Sequence, residues 1–189
     1  MNNTEPVNYE FLQHFEQHLE MELLKVCTQD GMLAGTLLKS DDIDERWRQL
    51  APEYMVDAVP QVAHYPTVSV AWAAYLGAAV AQEWDCDWEA LKNKPYKDYY
   101  GRAGFDDMDE NIIKNILGLK ADSEQARKLE DIVRKCGELS VTMIRREGIE
   151  PQSVMAFHVF ARACKVMYRI GAALELKRLG YKFEKVNLN

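Results

Sequence analysis

Apolar side chains recur along this chain at intervals of three and four residues. Between Asn8 and about Gln29, Phe11, Leu12, Phe15, Leu19, Leu23 and Val26 fall on one face of a helix. Asp30-Gly31 then supplies a stop, since glycine readily takes the left-handed conformation just past a helix end. A second helix is predicted from Ser40 toward Asp57, where Asp42 and Glu45 have capping-box spacing and Pro60 interrupts the run. Ile112, Ile113, Ile116 and Leu117 predict a short helix beginning near residue 109. Leu129, Ile132, Val133, Cys136, Leu139 and Met143 predict a longer one from about Ser123 to Gly148. No segment sustains a period of two, so β-structure is expected at most in the tail YKFEKVNL.

Two segments have no wide polar face. After Pro66, suited to a first helical turn, TVSVAWAAYLGAAVAQEW carries no charge until Glu83. Ser69, Ala73, Gly77 and Ala81 stand four apart, a row of small side chains that lets a neighbouring backbone come close, and Trp72, Leu76 and Val80 fill the adjoining row. The last helix is predicted to start at Pro151 and to run to about Leu179, with Gly180 as its stop. Both helices carry Ser-Val soon after the proline, a hint of a duplicated helix pair. The expected fold is all-α: one domain, residues 1–189, a bundle of about six helices around two nearly all-apolar central ones.

Composition narrows the classes. A chain of 189 residues hides roughly 70% of its unfolded surface, enough for a full core. The net charge of −7 argues against a nucleic-acid platform, which depends on clustered Lys and Arg. Cys27, Cys86, Cys136 and Cys164 form no CxxC pair, so they are expected to be buried free thiols rather than a zinc or redox motif. The longest apolar run, Thr67 to Ala81, is shorter than the ~20 residues of a membrane span, and MNNTEPVNYEF lacks the basic flank and apolar stretch of a signal peptide. No membrane or nucleic-acid partner is expected, and the expected location is cytoplasmic.

Candidate chemistry concentrates on the last helix. At 100° per residue, His158, Arg162, Lys165 and Arg169 occupy a stripe about 60° wide, while Phe157, Phe160, Cys164, Met167 and Gly171 point the opposite way. One reading makes the stripe a thin solvent-facing strip whose cations pair with the chain's many acids. The other makes it a cleft for a small carboxylate or phosphate, gripped by Arg162 and Arg169 beside a His158 able to titrate, which an enzyme would complete with Tyr75 or Glu83 from the facing helix. The segment KDYYGRAGFDDMDENI reads as a corner whose acids cap the next helix, with Tyr100 and Arg102 as candidates for the lip of that cleft.

Other patterns are incomplete. His14, His18 and Glu22 lie along one helical face, but the glutamate that directly follows the first histidine of an HExxH zinc helix is Phe15 here. The acid clusters at 41–45, 85–89 and 106–110 lack the glycine and glutamate positions of a calcium loop. GxxxxGK[ST], GxGxxG and GxSxG, the common nucleotide-binding and hydrolase signatures, are missing, and with the incomplete His and acid patterns neither metal nor cofactor is expected. The functional expectation is a non-catalytic domain for self-association or for a protein partner, with an anion-binding cleft. The alternative is an enzyme acting on a small anionic metabolite through the His/Arg-lined stripe.

Overall fold

The computed structural model describes residues 6–182. Its helices are α1 (Tyr9–Gln29), α2 (Asp41–Ala58), α3 (Pro66–Leu91), α4 (Met108–Asn111), α5 (Glu124–Arg146) and α6 (Val154–Arg178). Among the described residues there is no strand, and the fold is the all-α bundle expected. The tail YKFEKVNL lies outside the described residues from position 183 onward.

Local chemistry explains most boundaries. Asn8, Ser123 and Ser153 each accept a hydrogen bond from the backbone N–H three residues on, satisfying a donor that the first helical turn leaves free. Gly31, Gly148 and Gly180 hold positive φ just past α1, α5 and α6. Pro66 occupies the first turn of α3.

Four expectations need correcting. Ser40 is the N-terminal cap residue of α2 and makes no side-chain cap bond, so Asp42 and Glu45 form no capping box; Asp42 instead accepts from Trp84 Nε1 at 3.3 Å. Asp107 sits at the cap position of α4, but its carboxylate turns back to the Ala103 N–H at 3.0 Å and ties the Gly101–Gly104 turn. Pro151 lies in a turn with Gln152 at φ 65°, and α6 begins three residues later than predicted. Past Trp84, α3 kinks at Asp87, whose side chain accepts from the Ala90 N–H, and this local cap restarts the helix as far as Leu91.

Contacts fix the directions. Ser69 lies by Cys164, Gln82 by Arg178 and Asp85 by Tyr181, so α3 and α6 run parallel. Glu16 and Glu20 meet Arg162 and Arg169, so α1 runs the same way. Asp44 lies by Arg169 and Tyr54 by Ser69, so α2 runs against both. At the centre, a β-carbon on Gly77 would sit 1.9 Å from the Tyr168 carbonyl oxygen, and one on Gly171 would sit 1.8 Å from that of Ala74. The row of small residues on α3 therefore admits the α6 backbone itself. Aligning the two helices on their prolines would match Gly77 with Arg162, whereas the opposing glycine is Gly171, so the crossing gives no support to a duplication.

Gly77→Ala or Gly171→Ala is expected to cost about 3 kcal/mol or more, because backbone rather than a flexible side chain fills the space. Gly137→Ala meets the Thr67 methyl at 3.1 Å and the Ala71 β-carbon at 3.3 Å, and this strain roughly offsets a helix-propensity gain of about 1 kcal/mol. Denaturant unfolding of the three variants checks the ranking.

Candidate functional site

Three of the four stripe residues of α6, Arg162, Lys165 and Arg169, face acids of α1 and α2. Arg162 Nη1 donates to Glu16 Oε2 at 3.3 Å, and the Lys165 ammonium lies 2.9 Å from Glu16 Oε1 as an ion contact without hydrogen-bond alignment. Arg169 donates to Glu20 at 3.0 Å and lies 3.6 Å from Asp44, while Lys39 reaches Glu20 at 3.0 Å. The stripe is thus the positive half of a ladder whose carboxylates sit on α1 at positions 16 and 20, four apart and on one face. His158 is half-buried with its ring against Phe157.

Tyr100 and Arg102 do not join this group. The Tyr100 hydroxyl donates to Asp57, which also accepts from Tyr96 at 2.8 Å; these bonds pin the corner to α2, and Asp57 pushes both phenol pKa values upward in addition to their desolvation. Arg102 is exposed. Glu83 also turns elsewhere: it accepts from the Tyr99 hydroxyl at 2.9 Å and from Lys94 at 3.3 Å, and burial raises its carboxyl against the pull of Lys94. Arg46 donates to the Lys94 carbonyl and to Gln49, so this buried cluster fastens the 92–99 loop between α2 and α3. Tyr75 is buried against Trp72. His14 and His18 are exposed, and among the described residues no three His, Cys, Asp or Glu side chains form a metal set.

A concavity lies beside the ladder. A groove of about 1030 Å³ runs between α2 and the first half of α6. Trp47, Ala51, Met55, Val56, Val59, Phe157 and Ala161 give it an apolar floor, and Asp41, Asp44, Glu45, Arg48, Lys165 and Arg169 line its other end. Phe157 was expected in the core opposite the stripe, but it is 46% exposed and shares this groove with Lys165 and Arg169. The residues at positions 157, 161, 165 and 169 advance by four, and 3.6 residues per turn carries that row gradually around the helix from apolar to charged. Val56 and Val59 were not singled out from sequence; they lie off the α2 face formed by Ile43, Trp47, Leu50 and Tyr54, which is their one detectable signal.

No family model matches this chain, and comparison with curated proteins and with solved structures yields no match. Among the described residues no helix is long and apolar enough to cross a membrane.

Glu16→Gln removes a charge shared by Arg162, Lys165 and Arg169. Stability is expected to fall by about 1–2 kcal/mol. Inorganic phosphate should then raise the melting temperature of the variant more than that of the wild type, since freed cations offer it a site.

Asp109 gives a pH-dependent case. Burial raises its carboxyl to about 6, with Glu110 and Glu130 adding repulsion, whereas the ordinary Asp value is 3.8. Folding therefore favours the protonated form, and this contribution is full below about 3.8 and lost as pH rises through about 6. Asp109→Asn, which mimics the neutral form, should raise the melting temperature at pH 7 and change it little at pH 4, as thermal denaturation at both values would register.

Proposed function

We propose that this chain is a cytoplasmic, non-catalytic module that associates with a second copy of itself through the α2–α6 groove and the end of the bundle where α2 ends and α6 begins. The observation that carries this reading is the distribution of exposed apolar side chains. Val56, Val59, Val62, Tyr65, Val154 and Phe157 are all exposed, Val56 at 74%, and all lie where α2 ends and where α3 and α6 begin. Tyr9, at the start of the parallel helix α1, belongs to the same end. Single exposed apolar residues are ordinary, but several gathered at one end of a bundle beside a charged groove mark an interaction site.

Charge favours a second copy as the occupant. Two molecules of net charge −7 repel over most of their surfaces. The groove lining balances three acids, Asp41, Asp44 and Glu45, against three bases, Arg48, Lys165 and Arg169. A neutral, mixed-sign rim suits a two-fold contact in which acids of one protomer meet bases of the other. The alternative, an enzyme acting on a small anionic metabolite, draws on Lys165 and Arg169 at the groove mouth, with His158 one residue from Phe157. Three carboxylates already engage those two cations, which supports the association reading over it.

Sedimentation velocity over a range of concentrations tests the proposal. The wild type should form a species of about twice the 21.8 kDa chain mass, and Val56→Glu with Phe157→Glu should remain monomeric with melting temperature little changed. A wild-type chain that stays monomeric at high concentration rejects self-association.

A further inference from the structure

Away from the groove, two thiols meet in the core. Cys27 lies in the last turns of α1 and Cys136 near the middle of α5; both are buried, and their Sγ atoms are 3.7 Å apart. The other two cysteines have no such neighbour: Cys164 faces the Ser69 carbonyl and Cys86 is exposed on α3. A disulfide bond is about 2.05 Å long, so the sulfurs need to close by roughly 1.7 Å to bond. The two residues are 109 positions apart in the chain.

We propose that Cys27 and Cys136 are a covalent modification site, a latent disulfide that staples α1 to α5 when the protein meets a low-molecular-weight disulfide as oxidant. One cysteine, as thiolate, attacks a sulfur of the oxidant, so that a small thiol leaves and a mixed disulfide remains. The second cysteine then attacks the protein sulfur of that mixed disulfide and a second small thiol departs. The protein pair loses two electrons and two protons, and the oxidant gains both as two thiols.

The fold sets when this happens. Contact with Cys27 and burial together hold the Cys136 thiol well above its ordinary range, and burial shields both sulfurs from solvent. The first attack needs the end of α1 to open. Helix ends open more readily than cores, and this one is clasped from outside by Asp30 and Lys135, which pair at 2.6 Å beside the two cysteines. In a reducing compartment the pair stays as thiols until the pool of small disulfides rises. After reclosure the bond is buried and out of reach of exchange.

The test uses the Cys86→Ser chain, which removes the exposed competitor, incubated under native conditions with oxidised glutathione. Non-reducing peptide mapping should find Cys27 linked to Cys136, with a mass loss of two hydrogens and a melting temperature higher by roughly 5–10 °C. Adding Cys27→Ser should abolish both changes, and Lys135→Ala should speed linkage severalfold. Glutathione adducts on single cysteines without that link, or a link seen only after denaturation, overturns the proposal. An unchanged rate in Lys135→Ala overturns the assigned opening at the end of α1.

Discussion

The carbonyl oxygens of Ala74 and Tyr168 stand where β-carbons on Gly171 and Gly77 would be, so α3 and α6 touch backbone to backbone at their centre. Contact this close is available only to glycine, and it excludes large side chains from the crossing itself. The aromatic residues are displaced to its flank, where Tyr168 donates to the Ile43 carbonyl, Tyr54 to that of Ser69, and Trp47 packs against both rings. These bonds seat α2 against the pair of central helices. The crossing thereby sets the rotation of α6 about its axis: one face is given to α3, another to α1, and the row starting at Phe157 is left on the open side.

The rotation decides what the cations of α6 do. Arg162, Lys165 and Arg169 point at an α1 face whose glutamates are held within the same molecule. A free anion must compete with carboxylates already ordered at contact distance, and ordering its own freedom costs several kcal/mol. Partly buried guanidinium groups also gain more from a fixed partner than exposed ones do, because screening there is weaker. Electrostatics at this face therefore serve mainly to attach α1. Among the described residues the apolar floor beside it leaves Val56, Val59 and Phe157 exposed, which shifts the functional weight from the charges to these three.

Legibility in the sequence followed the range of the interaction. The row Ser69, Ala73, Gly77 and Ala81 announced a close helix contact, since small residues at that spacing have one strong physical use, and Gly31, Gly148 and Gly180 announced helix ends through their own backbone freedom. Features settled by competition between neighbours were harder. Asp42 had the right spacing for a cap but went to the Trp84 indole, and Asp107 went to the Gly101–Gly104 turn. The basic stripe was visible as a pattern, yet its partners, Glu16 and Glu20, lie about 150 residues away in sequence, and periodicity carries no record of which helix will face which. The exposure of Phe157 was hidden for the same reason, because an apolar residue on an apolar helix looks like core until its neighbour turns out to be a groove.

The groove persists because the residues facing across it are small or cannot close the gap. Ala51 and Ala161 bring little volume to it, and Pro52 lacks the N–H that an α-helix would direct to the Arg48 carbonyl, so α2 is weakened on that side while its opposite face is held by the Tyr54 bond to Ser69. Pulling α2 inward to bury Val56 and Val59 would break the Tyr168 and Tyr54 bonds that depend on the glycine crossing. Each buried hydroxyl left without its acceptor costs about 1–3 kcal/mol, comparable to the roughly 1.5–3 kcal/mol gained by fully burying one such side chain. Closure from within is thus close to balanced at best, whereas a second molecule laid along the groove covers the same valines and Phe157 without disturbing either bond.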